Sequence, residues 1–147
     1  MSARAFGAAT LVPGAGAGAP LLLDEPLSFW GGLDPILGAI IDRRHPQAGA
    51  NVAGRMLMMP AGRGSSGGSA ILAEALRLGE GPAGILMLEC DAIVVVGAMI
   101  AAELYGCACP VALASEGDWP ALAAAARLAV EAAPNRPTIS AEPKLRR

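Results

Sequence analysis

Gly62-Arg63-Gly64-Ser65-Ser66-Gly67 concentrates the groups of this chain that could do chemistry. Its glycines let a ligand approach the backbone closely, a guanidinium stands between two of them, and two hydroxyls follow. A loop that leaves a strand and opens a helix presents free backbone N–H groups and the positive end of the helix dipole, so it receives a carboxylate or phosphate well. Beside Arg63 and a helix N-terminus, the alkoxide form of a serine is favoured electrostatically and becomes able to accept a proton. The plainer alternative is that Ser65, Ser66 and Ser69 only cap the helix.

The same six residues fit G-x-G-x-x-G, and Glu89, 22 residues after Gly67, stands where a dinucleotide fingerprint places its ribose-binding acid. Against that reading, the unit begins about 50 residues into a chain of 147, Pro60 stiffens the approach to the turn, and too little chain follows for a substrate domain. A nucleotide-binding or regulatory module is therefore the alternative of a different class. A Walker-type phosphate loop is excluded, because no lysine follows the glycines and the only lysine is Lys144. Outside the loop the catalytic kit is thin: His45, Cys90, Cys107 and Cys109. Cys107-x-Cys109 is a short pair with no third or fourth ligand at a familiar spacing, so no metal site is expected in this chain. Cys90 is expected as a small core residue. His45 reads either as a loop histidine or as a site-facing one. If the chain takes part in catalysis, it holds only part of the site.

Flanking elements must position the loop. Residues 52–59 are apolar with only Arg55 inside and are stopped by Pro60, which predicts a buried strand. After the loop, Ile71, Leu72, Ala75 and Leu76 recur at helical spacing, with Glu74 and Arg77 opposite and Gly79 at the C-terminus. Residues 84–88 predict a second buried strand, 92–105 a second helix and 110–113 a third strand. Asp118 as N-cap and Pro120 in the first turn then open a helical stripe of Trp119, Leu122, Ala126 and Val130. In the first third, residues 8–12 and 21–23 predict strands separated by a loop at 15–20, and Ile40-Ile41 a short strand before a polar loop. Residues 24–32 gather acidic, aromatic and glycine residues in a chain only 3% aromatic, and predict a turn anchored by two buried rings, Phe29 and Trp30. Residues 134–147, rich in proline and charge, predict a frayed tail with one edge strand near Thr138 to Ser140, so the domain is expected at 1–132 and the tail at 133–147. A β-rich first third followed by strand-helix alternation argues an α/β class.

Composition narrows the function classes. Hydrophobic residues make up 54% and charged ones 16%, the net charge is -2, and no basic stripe offers a surface to nucleic acid or anionic lipid. The longest apolar run, residues 92–102, is 11 residues and falls short of the ~20 a membrane helix needs. Pro13 and a Gly-Ala alternation interrupt the N-terminus before any signal-peptide core forms. Three unpaired cysteines suit a reducing compartment, and the chain is expected in the cytoplasm.

Four strings, DEPLSFWGGLDP (24–35), IIDRRHP (40–46), MPAGRGSS (59–66) and AAELYGCACPV (101–111), resemble the small subunit, or swivelling domain, of the aconitase X family of dehydratases, over about residues 5–114. The resemblance implies a swivelling β/β/α domain that closes over a large catalytic subunit in a hetero-oligomer. It places any iron or iron-sulfur cluster on that partner and no cofactor on this chain. It implies dehydration of a small hydroxy acid, either cis-3-hydroxy-L-proline, expected first, or mevalonate 5-phosphate. The first serine of the Gly-Ser-Ser loop, Ser65, inherits the proton-acceptor role. Arg63, Ser66 and the N–H groups of Gly64 and Gly67 would hold the substrate carboxylate, with His45 facing the site. The chain departs from the family pattern at Gly67-Gly68, where serines commonly continue, and at residues 15–19, which replace a more acidic turn.

Overall fold

A computed structural model describes residues 3–145. In chain order its elements are β1 (Arg4–Gly7), β2 (Ala9–Val12), β3 (Gly14–Gly18), β4 (Pro20–Leu22), a helical turn α1 (Phe29–Gly32), the hairpin β5 (Leu33–Asp34) and β6 (Ala39–Ile40), and β7 (Met56–Met58). There follow α2 (Gly68–Arg77), β8 (Gly84–Met87), α3 (Ala92–Tyr105), β9 (Val111–Leu113), a 3-10 turn (Glu116–Asp118), α4 (Trp119–Ala123), β10 (Arg127–Ala132) and β11 (Thr138–Glu142). They make three layers. A four-stranded antiparallel sheet, β1-β11-β10-β3, packs on a five-stranded sheet, β2-β9-β8-β7-β4, whose four neighbouring strands β9, β8, β7 and β4 are parallel. Helices α2 and α3 and the β5–β6 hairpin cover the other face.

The period-2 alternation of β7 shows why both faces are covered. Met56 and Met58 pack with Leu86, Leu128, Val130 and Ile139 between the two sheets, while Leu57, between them in sequence, packs with Leu72, Ile85 and Val94 under the helices. The expected α/β class and β/β/α layering are thus found, and the central strand-helix-strand-helix-strand run lies within a residue or a few of its expected bounds.

Three expectations need correction. The segment at 15–20 holds most of β3 and the first residue of β4 rather than a loop, because its small residues serve close approach: a Cβ at Gly16 would collide with the Ala83 carbonyl, and one at Gly18 with that of Gly54. The stripe from Trp119 to Val130 is broken. The helix ends at Ala123, and β10 alternates buried Leu128, Val130 and Ala132 with exposed Arg127 and Glu131, a period masked by the helix-favouring alanines before it. The strand expected near Thr138 to Ser140 is present as β11 but lies inside the sheet rather than at an edge of a frayed tail, pairing with β1 on one side and β10 on the other, with Ile139 and Ala141 buried. Residues 146 and 147 of that segment lie outside the described residues.

Candidate functional site

Strands β4, β7, β8 and β9 run in one direction, so the segments leaving their C-terminal ends gather at one edge of the sheet, where open α/β sheets bind ligands. The Gly62–Gly67 loop leaves β7 there. The Pro60 carbonyl accepts from the N–H groups of Leu88 and Glu89, both at 3.0 Å, which ties the start of this loop to the one after β8. Beside the tie lies a cavity of about 290 Å³ lined by Pro60, Ala61, Leu88, Glu89, Ala114 and Glu116.

Each glycine of the loop answers to a different neighbour. A Cβ at Gly62 would run into the Asp91 carboxylate, one at Gly64 into the Ser28 side chain, one at Gly67 would lie 2.9 Å from the Trp30 ring, and one at Gly68 would lie 3.2 Å from Ile93. Gly64 also takes φ +101°, a conformation that favours glycine. The glycine spacing is therefore explained by packing against the segments after β4 and β8, and the close approach that a dinucleotide pyrophosphate needs is already taken up by Ser28 and Trp30. At Gly67 and Gly68, where the chain departs from the family pattern, the neighbours are Trp30 and Ile93, and a larger residue at either position would require one of them to shift.

Between these glycines Arg63, Ser65 and Ser66 are exposed. The Ser65 Oγ accepts from the Gly67 N–H at 3.2 Å, and the Ser65 carbonyl accepts from the Gly68 N–H at 2.9 Å. The hydroxyl is thus held at the start of α2 by one donor that also favours its anionic form. The Gly67 N–H spent on Ser65 is no longer free for a carboxylate. Ser69 is different: it is buried and donates to the Ile93 carbonyl at 2.7 Å, tying α2 to α3. Arg63 stands 3.7 Å from Asp42, beyond hydrogen-bond distance, and its half-exposed guanidinium can turn to an arriving anion.

His45 does not join this group as expected. It is 3% exposed. Its Nδ1 accepts from the Gln47 N–H at 3.0 Å, which leaves the proton on Nε2 to donate to the Glu25 carbonyl, also at 3.0 Å. Gln47 in turn pairs with Asp24 through its amide at 2.7 Å and 2.9 Å. His45 and Gln47 therefore clasp the segment after β4, and a substrate contact from the ring would require one of these bonds to break. Phe29 is buried as expected, whereas Trp30 is 59% exposed and lies against the glycine loop.

The thiols do not converge. Cys90 is exposed rather than in the core, because it precedes α3 in the loop after β8. Cys107 follows the same helix, whose 14 residues separate the two by about 21 Å. Burial pushes the Cys109 thiol up to about 12, so it stays protonated. Among the described residues no three His, Cys, Asp or Glu side chains form a group able to hold a metal, so an iron-sulfur cluster does not fit this chain's own thiols. Among them, too, no helix is long and apolar enough to cross a membrane.

Sequence reading missed Ser28 and Asp91 as neighbours of the loop and Asp42 as the partner of Arg63. The available signal for Asp91 was its place before an apolar helical run, where it caps α3 by accepting from the Val94 N–H at 3.0 Å.

A family model described as the aconitase X swivel domain matches residues 5–140. The cis-3-hydroxy-L-proline dehydratase of Pseudomonas aeruginosa is 46% identical over 107 residues, 73% of this chain and 18% of that protein. The enzyme of the same name from Hypocrea jecorina is 37% identical over 78% of this chain and 19% of its own length. The chain thus spans under a fifth of these two relatives. The phosphomevalonate dehydratase small subunit of Methanothermobacter thermautotrophicus is 40% identical over 60% of this chain and 67% of its own length. Among solved structures, the holo-form of Thermococcus kodakaraensis aconitase X contains a chain that superposes with a TM-score of 0.76 at 26% identity, covering 94% of this chain and 98% of that one.

Proposed function

This chain belongs to the aconitase X swivel domain family, and from that membership we propose that it is the small subunit of a hydro-lyase, closing over a large subunit and bringing Ser65 to the substrate as proton acceptor. The observation that carries the reading is the placement of the Ser65 hydroxyl: exposed, at the start of α2, held by the Gly67 N–H, two residues from Arg63 and on a loop locked by its neighbours.

Dehydration begins with loss of a proton from the carbon next to a carboxylate. The Ser65 alkoxide takes that proton, the C–H electron pair becomes the new double bond, and hydroxide leaves from the neighbouring carbon. Negative charge builds on the carboxylate as the proton leaves, and in this reading Arg63, the Ser66 hydroxyl and the Gly64 N–H receive it. Departing hydroxide needs an acid or a metal, and among the described residues no three His, Cys, Asp or Glu side chains gather to hold a metal. That half of the chemistry falls to the large subunit, where an iron or iron-sulfur centre would reside.

The substrate proposed is cis-3-hydroxy-L-proline, giving a pyrroline carboxylate. The 46% identity to a dehydratase of that name supports it, as does a net charge of -2 with a single lysine, which offers little to a doubly charged phosphate ester. The second reading is mevalonate 5-phosphate, favoured by the 40% identity to a phosphomevalonate dehydratase small subunit. The test is to assay the chain, assembled with the large subunit of the same genome, on both compounds. Turnover of hydroxyproline is expected; turnover of the phosphate ester alone overturns the substrate choice, and turnover of neither overturns the dehydratase reading.

A further inference from the structure

Helix α3 is apolar on both sides. Its inner face, Val94, Gly97, Ala98 and Ala101, is buried, and at Gly97 a Cβ would lie 2.9 Å from the Ser69 carbonyl of α2. Its outer face has the same character: Val96, Met99 and Leu104 are 46%, 48% and 70% exposed, and with Ile100 they line a groove of about 330 Å³ in which Glu103 is the single charge. Residues 93, 96, 100 and 104 follow one another at helical spacing along this face. A helix at a water-facing surface carries polar residues outward, and one that is hydrophobic all round is a buried helix. A contiguous apolar patch of this kind marks an interaction site.

We infer that the outer face of α3 is the seat of the large catalytic chain, an inference that rests on the small-subunit reading above. Two observations choose this occupant over a second copy of the same chain. The apolar stripe begins at the site: Asp91, the cap of α3, packs against Gly62, and Ile93 in its first turn packs against Gly68. A body seated over the Gly62–Gly67 loop therefore continues onto Val96 and Met99 without a break. A two-fold contact between copies, by contrast, would bring two Glu103 carboxylates into one apolar contact, and α3 carries no basic residue to pair them. In the first two relatives the matched region is under a fifth of the protein, so the remaining body is large enough to cover such a face.

The test uses the full chain and the large subunit of the same genome. Association is measured for the wild type and for Met99→Glu and Leu104→Glu, both at exposed positions so that the melting temperature should hold. Oxidative footprinting of Met99, free and in complex, needs no variant. The expected result is about 100-fold weaker association for each variant, as an unpaired charge in an apolar contact requires, and protection of Met99 in the wild-type complex. Full-strength association of both variants with Met99 equally reactive overturns the docking face and leaves the small-subunit reading standing. A concentration-dependent dimer of this chain alone that Met99→Glu disperses overturns it in favour of a second copy. Failure of the wild type to associate, together with no dehydratase activity in the mixture, overturns both.

Discussion

The Ser28 side chain occupies the space that a side chain on Gly64 would fill, and Gly64 holds φ +101° beside it. The segment after β4 thereby fixes the height of the loop that carries Ser65, although the two are separated by more than thirty residues of sequence. Gly64→Ala must both strain the backbone and displace Ser28. A stability loss of about 1–3 kcal/mol is expected from the backbone alone, with kcat reduced at least about 10-fold as Ser65 shifts. Pairing it with Ser28→Gly should recover part of the melting temperature. No recovery would show that steric contact is a minor part of the cost.

Ser65→Ala should leave assembly with the large subunit unchanged and lower kcat by about 10²–10⁴-fold, the range for loss of a positioned proton-transfer group. Retained turnover refutes the proton-acceptor role. Arg63→Ala should raise KM and lower kcat together, because the guanidinium proposed to bind the substrate carboxylate also meets the charge that builds on it as the proton leaves.

His45→Ala removes both bonds of the clasp and strands the Glu25 carbonyl and the Gln47 N–H. A loss of about 1–3 kcal/mol of stability is expected, read as a lower melting temperature, with kcat well below the transition nearly unchanged. A collapse of kcat in a fully folded complex would return the ring to the substrate.

Burial raises the Cys109 thiol from 9.0 in the unfolded chain to about 12 in the folded one. The stability this provides is complete below pH 9. It is lost as pH rises from 9 toward 12, because the unfolded chain then releases a proton that the folded chain retains, at up to ~1.4 kcal/mol per pH unit. Denaturant titrations over that range should show the slope, and Cys109→Ala should remove it. In native thiol labelling near pH 8, Cys90 should react while Cys109 reacts only after unfolding.

The loop was legible because its chemistry is contiguous: a guanidinium, two hydroxyls and the glycines fall within six residues, and the strand and helix on either side carry clear periods. The residues that complete it were not. Ser28, Asp42 and Asp91 come from other loops and meet it only because parallel strands end at one edge, a relation no local pattern encodes. The fold failed to show itself where side chains are small or alanine-rich. Strand β3 has almost nothing to alternate, since Gly16 and Gly18 must let backbones touch. Residues 123–126 favour helix locally, but the neighbouring strands recruit Leu128 and Val130 to the sheet.

The glycines at 62, 64 and 67 are each confined by a different neighbour and that at 68 sits tight against Ile93, whereas the residues at 63, 65 and 66 are exposed. Confined and exposed positions alternate within seven residues. Variation introduced by selection or by an engineer can therefore enter at three places without disturbing the fold. On the proposed reading Ser65 takes the proton while Arg63 and Ser66 hold the substrate, so with Ser65 kept the loop can be retuned toward another acid at 63 and 66 while its backbone trace stays as it is.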